Sequence, residues 1–343
     1  MPANAIERGF DFGPFPSGWA QVAWSKELAP GQVRPVDAFG QRLVLFRGAD
    51  GVARMLGAYC PHLGADLGIG GAVVGNDLRC PFHGWRFNGA GVCTEIPHAR
   101  KIPPKARLGS WPLREAGGTI FAWHDVEGRE PWFELPALSE HALGAASGAT
   151  TVAYTIRTRW REITENGVDR AHFHVLHGYP EPPNMDVTVD GVHFQMRSNV
   201  LWRRFGLERD VRLDIDWCGP MLSVTRGAGD LPFIVLASTM PIDADTVIHR
   251  MTFMVPGSVP APLRRVVRGI AAFAAGREFE RDIPIWENKV CRPRPVLCDA
   301  DGPIARFRSW ARQFEARADA TTIQDGRRLP VINSVDAVPS PRR

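Results

Sequence analysis

The sequence has few cysteines, and it contains no long run of apolar residues or of basic residues. Six cysteines in 343 residues are too few for a disulfide scaffold, so we expect a reducing, cytoplasmic setting. The first residues lack the basic segment and apolar run of a signal peptide, and no uninterrupted apolar stretch reaches the ~18 residues of a membrane span. The formal charge is +4 without any Lys/Arg run, which argues against nucleic-acid binding.

The composition that is present indicates a globular protein with two domains. Hydrophobic residues make up 44% of the chain and charged residues 23%. From 18 to 125, short apolar runs alternate with turn signals, which is typical of an all-β domain. We predict a first domain at 17–135, a second at 150–325, a linker near Gly144–Thr150 and a flexible tail at 337–343.

The pattern in the second domain predicts both strands and helices. Trp160–His177, Pro262–Phe279 and Ile304–Ala316 have helical periodicity. Alternating segments predict strands at Val152–Arg159, Val192–Ser198, Val211–Trp217, Phe233–Thr239 and Val247–Met254.

Four side chains that bind metals lie in two short motifs. Cys60 and His62 form a C-x-H motif, and 17 residues further on Cys80 and His83 form a C-x₂-H motif. Two thiolates and two imidazoles could bind Zn²⁺. This spacing, however, resembles that of a Rieske [2Fe–2S] centre, in which two Cys hold one iron and two His hold the other. We therefore predict a [2Fe–2S] cluster.

The residues around these motifs indicate a low-potential cluster. High-potential Rieske proteins carry an additional Cys in each loop and join the two by a disulfide, whereas this chain has Ala65 and Phe82 there. Gly64 and Gly84 allow the loops to close tightly over the inorganic sulfides. Cys93 is expected to be a small buried side chain and not a further ligand.

A second motif lies beyond the cluster domain. Asn166, Asp169, His172 and His177 form N-x₂-D-x₂-H-x₄-H, which resembles the signature of Rieske non-haem iron oxygenases. Fe(II) that activates O₂ needs two imidazoles and one carboxylate, with positions left open. Asp169 lies three residues before His172, so its carboxylate is expected to accept the second ring N–H of that ligand. His174 is the alternative ligand, but the Asn and Asp spacing favours His172 and His177.

The third iron ligand is expected in a segment far downstream. Asp282 and Trp286 form a D-x₃-W pattern like the one that supplies the carboxylate in this family. We predict Asp282 as the ligand, with Glu287 and Glu280 as alternatives.

The resemblance extends from about Pro16 to about Phe314 and is strongest to the 3-ketosteroid 9α-hydroxylase oxygenases, a branch that includes cholesterol 7-desaturases and bacterial sterol C-4 demethylases. It rests on the segments Pro16–Trp19, Leu43–Arg47, Cys60–Ala65, Asp282–Lys289, Asp301–Pro303 and Arg308–Trp310. Pro284 and Asn288 depart from the usual steroid hydroxylase pattern.

This resemblance implies an α+β chain, with an all-β Rieske domain followed by a helix-grip catalytic domain whose curved antiparallel sheet holds a long helix. It also implies a head-to-tail homotrimer, in which Asp169 carries electrons from His83 of one subunit to His172 of the next. NADH would supply those electrons through a separate ferredoxin or flavin reductase, because no G-x-G-x-x-G follows a strand here. The implied reaction uses O₂ to oxidise a C–H bond of a hydrophobic substrate, a steroid or sterol.

Three alternatives to this interpretation stay open. The substrate could be an aromatic or alkaloid-type molecule. The chain could be an electron carrier or redox sensor that uses the cluster alone. The Arg-bearing segment Pro262–Phe279 could dock on a membrane to collect lipid, although an ordinary amphipathic helix is the simpler interpretation.

Overall fold

A computed structural model describes residues 14–136, 148–204, 207–229 and 232–315. The predicted tail at 337–343 lies outside these ranges, as do residues 144–147 of the predicted linker and 316–325 of the predicted second domain.

The first part of the chain forms three small antiparallel sheets, as the turn-rich pattern predicts. Their orders are β1-β11-β10, β2-β3-β4-β9 and β5-β6-β7-β8. The strands are β1 (Gly18–Trp24), β2 (Val33–Ala38), β3 (Gln41–Arg47), β4 (Ala53–Gly57), β5 (Ala72–Val74), β6 (Asp77–Arg79), β7 (Arg86–Phe87), β8 (Cys93–Glu95), β9 (Ser110–Trp111), β10 (Leu113–Ala116) and β11 (Thr119–His124). A short 3-10 turn at Ser25–Glu27 follows β1.

The second part is dominated by one seven-stranded antiparallel sheet in the order β12-β18-β17-β16-β15-β14-β13. Its strands are β12 (Thr150–Ile156), β13 (Asn184–Asp190), β14 (His193–Arg204), β15 (Leu207–Cys218), β16 (Leu222–Ala228), β17 (Phe233–Pro241) and β18 (Val247–Met254). The helices are α1 (Trp160–Asn166), α2 (Arg170–Val175), α3 (Ala261–Asn288) and α4 (Ile304–Ala311), with 3-10 turns at Asp299–Asp301 and Arg312–Phe314. This architecture confirms the predicted fold class.

The predicted single helix Trp160–His177 is wrong, because the structure divides it into α1 and α2. Asp169 has extended backbone angles (φ −81°, ψ 105°) and caps α2, its carboxylate accepting the backbone N–H groups of Ala171 and His172. An Asp that bonds the backbone in this way competes with helix continuation.

Helix α3 is longer than predicted and continues nine residues past Phe279 to Asn288. It packs against β12, β17 and β18, burying Ala272, Gly276, Asp282 and Trp286. Helix α4 is shorter than predicted and passes into a 3-10 turn, and the predicted end at Ala316 lies outside the described residues. Within the described ranges, none of the helices combines the length and apolarity needed to span a membrane.

The two parts of the chain are joined through β1, which lies against β16 and β17. The Gln21 backbone N–H donates to Ser238 Oγ at 2.9 Å, and the Gln21 carbonyl accepts from Arg250 at 2.9 Å. The Trp24 indole donates to Thr252 Oγ1 at 2.9 Å. These bonds satisfy polar groups within an otherwise apolar interface.

Buried charges of α1 pair with residues in and around α3 and α4. Arg308 forms a two-pronged ion pair with Glu165, whose Oε1 lies 2.7 Å from Nη2. Glu162 pairs with Lys289 beyond the end of α3, and Arg161 pairs with Glu315. Because buried charges are costly without partners, these pairs fix the position of α1, whose last residue is Asn166.

Candidate functional site

The two cluster motifs lie on loops of matching geometry. The Cys60 N–H donates to the carbonyl of Ala65, and the Cys60 carbonyl accepts from Gly64. In the second loop the Cys80 N–H donates to Trp85, and the Cys80 carbonyl accepts from Gly84. The glycines have φ values of 77° and 74°, a left-handed conformation that favours glycine.

This geometry brings the four predicted cluster residues together. Cys60 and Cys80 are buried and interact through their thiols, whereas His62 and His83 are exposed at the surface with ring centroids 4.6 Å apart. Burial raises the pKa of the Cys60 thiol to about 11. Two inner thiols and two outer imidazoles are the donor set of a Rieske cluster, so the residues present fit that group.

Two neighbouring side chains complete the description of the cluster loops. Trp85 stacks on the His62 ring at 4.6 Å and 8°, a contact that the sequence analysis missed because aromatic residues next to a motif carry no spacing signal of their own. Cys93 is buried at the start of β8, with its sulfur 3.5 Å from the Glu95 carbonyl. It therefore occupies a core position, as expected.

The second predicted group also comes together. One ligand atom each from His172, His177 and Asp282 lie within 4.8 Å of one another. The first two residues come from α2 and the turn after it, whereas Asp282 lies in the buried face of α3. Two imidazoles and a carboxylate on one side of a cavity form a 2-His-1-carboxylate set, which fits a mononuclear Fe(II).

His172 is oriented through both ring nitrogens. Its Nδ1 lies 2.6 Å from the backbone carbonyl of Asp169, and its Nε2 lies 3.1 Å from the Asn166 side-chain nitrogen. The Asp169 carboxylate, which the sequence analysis expected in this role, is 3.9 Å from Nδ1 because it caps α2 instead. Burial lowers the pKa of His172, which favours the neutral ring that a metal requires.

His177 is oriented by two carboxylates of α3. Its Nδ1 lies 3.0 Å from Glu278 Oε2, and its Nε2 lies 3.4 Å from Asp282 Oδ1. Burial opposes protonation, but the hydrogen bonds to Asp282 and Glu278 raise the pKa of His177 to about 9. Sequence reasoning missed Glu278, although its spacing of four residues from Asp282 places both on one helix face.

The alternative ligands lie elsewhere. Glu280 accepts a hydrogen bond from the Tyr154 hydroxyl at 3.3 Å, and Glu287 accepts from the Arg157 backbone N–H at 3.3 Å. His174 is exposed, with its Nδ1 2.6 Å from the Tyr179 carbonyl.

A cavity of about 660 Å³ lies between α3 and the seven-stranded sheet, and His172, His177 and Asp282 line it. Every second residue of β17, from Phe233 to Thr239, faces this cavity, as expected for a strand with one side toward an interior space. Most other lining side chains are apolar. The volume is within the range of about 300–1,000 Å³ that is typical of small-molecule sites.

Comparisons with known proteins agree with this geometry. Residues 18–112 match the Rieske [2Fe-2S] domain, and residues 122–314 match the 3-ketosteroid 9α-hydroxylase C-terminal domain. The chain is 32% identical to a cholesterol 7-desaturase of Ciona intestinalis over 91% of this chain and 72% of the relative. It is 35% identical to a probable 3-ketosteroid-9-alpha-monooxygenase oxygenase component of Rhodococcus rhodochrous over 87% and 79%.

Solved structures share the fold. The crystal structure of dicamba monooxygenase bound to dicamba superposes with a TM-score of 0.70, covering 87% of this chain and 96% of that chain. The two sequences are only 19% identical, so this likeness concerns the fold alone.

Proposed function

Because this chain belongs to the Rieske non-haem iron oxygenases, in the branch of the 3-ketosteroid 9α-hydroxylases and cholesterol 7-desaturases, we propose that it is the terminal oxygenase component of a monooxygenase that oxidises a C–H bond of a steroid or sterol. The main observation in support of this proposal is that His172, His177 and Asp282 lie close together on the wall of a large apolar cavity. A carrier that used only the cluster would have no need of this second site.

The roles of the chain's own residues follow from their contacts. Cys60, His62, Cys80 and His83 would hold the [2Fe–2S] cluster, and His172, His177 and Asp282 would hold Fe(II). Bound there, the two groups would supply single electrons and the activation of O₂ for attack on a C–H bond. The Asp169 carbonyl and Glu278 hold the two His rings in fixed orientations.

The cavity wall orients the substrate, which is the second requirement of the reaction. Apolar side chains of the sheet and of α3 exclude water and hold a rigid apolar substrate with one C–H bond toward the three ligands. The names of the relatives, which refer to cholesterol and to 3-ketosteroids, support a steroid or sterol for this chain.

We propose that electrons enter from a separate reductase and cross between subunits of a homotrimer. Among the described residues, no hydrogen bond, ion pair or ring contact joins the cluster loops to α2. His83 is exposed, as are the apolar side chains of the same loops: Tyr59, Leu63, Ile69 and Phe82. We call these four side chains the cluster face, and exposed apolar groups of this kind are typical of a protein contact. Asp169, half-buried beside His172, would receive the electron from His83 of the neighbouring subunit.

The Asp282→Ala variant tests the proposed site. Without the carboxylate the mononuclear iron should be lost, so iron falls from about three to about two atoms per chain and steroid turnover with O₂, NADH and a reductase stops. The visible absorption of the cluster should stay unchanged, because Asp282 belongs to the other domain. Glu287→Ala, which removes a carboxylate of the same helix outside the site, is the matched control and should keep about three iron atoms per chain and full turnover.

Three results would contradict the proposal. Turnover by Asp282→Ala would show that the ligand assignment is wrong. Two iron atoms per chain in the unaltered protein would support an electron carrier. Oxidation of an aromatic or alkaloid-type compound in preference to steroids, measured by product analysis of mixed substrates, would support that alternative substrate class.

A further inference from the structure

One polar pair lies within the wall of the cavity and has no role in holding iron. His249 of β18 and Thr239 of β17 are directly opposite in the strand register, and both line the cavity. His249 Nδ1 lies 2.9 Å from Thr239 Oγ1. The two residues are 6% and 2% exposed, so this pair is buried within the wall.

The bond to Thr239 determines which nitrogen of His249 carries the proton. A buried hydroxyl needs an acceptor for its hydrogen, and within the described ranges Nδ1 is the partner that Thr239 has for it. The Thr239 hydroxyl therefore donates to Nδ1, which places the ring hydrogen on Nε2. No group of the described residues bonds to that Nε2.

The ring of His249 is also held in one orientation and in one charge state. It stacks on Phe279 of α3 with centroids 4.5 Å apart and planes at 17°. Burial lowers the pKa of His249 to about 3, so the ring is neutral across the physiological range. A fixed N–H donor in an apolar wall costs free energy when it has no acceptor, and a bound ligand atom that accepts from it removes that cost.

We propose that His249 is a specificity-determining residue, whose Nε2–H donates a hydrogen bond to a carbonyl oxygen on an otherwise apolar substrate. This inference rests on the proposed function, because it takes the cavity as the substrate site. It goes further by assigning recognition of a substrate ketone to the pair formed by His249 and Thr239. A hydrocarbon of the same shape would leave the N–H without a partner.

Matched ligand pairs test the ketone requirement. Equilibrium dialysis of the iron-loaded protein measures the dissociation constants of androstan-3-one and androstane, and of 1-tetralone and tetralin as a smaller aromatic pair. The unaltered protein should bind at least one ketone about 10- to 100-fold more tightly than its hydrocarbon, the effect of one buried N–H left unpaired.

Variants of the pair test the residue assignment. His249→Phe keeps an aromatic ring against Phe279 but removes the donor, so the preference for the ketone should disappear while hydrocarbon affinity is kept. His249→Gln retains an N–H donor and should keep part of the preference. Thr239→Val frees the tautomer of His249 and should reduce the preference by a smaller factor. Thr225→Val, which removes another hydroxyl from the cavity wall, is the matched control and should leave the preference unchanged.

The outcomes separate this inference from the proposed function. Equal affinity for ketone and hydrocarbon, binding of neither pair, or a preference that survives in His249→Phe would overturn the inference, even if steroids are oxidised. If His249→Phe does not fold, the inference is tested by the ketone preference of the unaltered protein and by the reduction of that preference in Thr239→Val. A preference that depends on His249, in a protein that consumes no O₂ with any steroid, would support the inference and overturn the proposed function.

Discussion

At the residue scale, the orientation of the proposed iron ligands depends on atoms that a motif does not specify. Asp169 acts on His172 through its backbone carbonyl, while its carboxylate caps α2. Glu278, which has no place in the N-x₂-D-x₂-H-x₄-H pattern, lies 3.0 Å from His177 Nδ1. Such partners fix the orientation of a ligand ring and increase its basicity.

We predict that Glu278→Ala weakens iron binding without unfolding the protein. Loss of the carboxylate leaves the His177 ring free to rotate, and changes to such a partner typically cost about 10- to 100-fold in metal affinity. The rate at which a chelator removes the mononuclear iron measures this effect, with the cluster absorption as an internal reference.

Glu280→Ala is the matched control for this experiment. Glu280 lies on the same helix but bonds the Tyr154 hydroxyl, so its loss should leave iron release unchanged. Equal iron release from Glu278→Ala and the unaltered protein would show that the contact with His177 has no part in holding the metal.

At the element scale, the break between α1 and α2 places the proposed ligands. Gly167 follows Asn166, and a Cβ there would lie only 2.8 Å from the Trp217 ring of β15. The absence of a side chain therefore allows the end of α1 to approach the sheet. If α1 continued as a regular helix, as the periodicity predicts, Asn166 and His172 would not meet at 3.1 Å.

We predict opposite effects of Ala substitution at two glycines. Gly167→Ala should lower the free energy of unfolding by about 1–3 kcal/mol, because the added methyl overlaps the Trp217 ring. Gly269→Ala is the matched control, since this exposed position in α3 has nothing within 4 Å of an added Cβ among the described residues. It should raise stability by up to about 1 kcal/mol through better helix propensity.

Urea denaturation followed by circular dichroism measures both changes. A Gly167→Ala protein as stable as the unaltered one would mean that the sheet and α1 can move apart at no cost, and that close approach is not what selects glycine here.

At the scale of the whole molecule, the two proposed metal sites differ in their surroundings. The proposed iron site faces the apolar cavity between α3 and the sheet, whereas the rings of His62 and His83 are at the surface beside the cluster face. This exposure suits docking of the separate reductase and, in the proposed trimer, of a neighbouring subunit. A neighbouring subunit docked on the cluster face would bring an iron site within reach.

We predict that two inactive variants restore activity in mixed trimers. His83→Ala lacks a cluster ligand and Asp282→Ala lacks an iron ligand, so neither alone should turn over steroid. Co-expressed, they should form interfaces in which an intact cluster of one subunit faces an intact iron site of the next. Turnover of the co-purified protein measures the recovery, and light scattering on a sizing column measures the trimer.

Co-expression of His172→Ala with Asp282→Ala is the control and should remain inactive, because both variants lack the iron site. Absence of recovery in the first mixture, in particles shown to contain both chains, would mean that electrons do not cross between subunits.

The predicted ligand set came from the sequence by itself, because a metal site requires particular side chains at short, regular spacing. The motifs around Cys60 and Cys80 each lie within a single loop, and the motif around His172 lies within one short helical region. Local geometry therefore brings the residues of each motif together. The alternation of apolar residues likewise predicted five of the seven strands of the large sheet but missed β13 and β16.

Only the tertiary structure decided which distant groups meet. Asp282 was one of three candidate carboxylates until the packing of α3 on the sheet buried it and left Glu280 and Glu287 elsewhere. Helix α3 also continues past Pro284 to Asn288. We attribute this to the same packing, because tertiary contacts outweigh the local tendency of proline to end a helix. The pairing of His249 with Thr239 depends on strand register, and sequence spacing alone does not contain it.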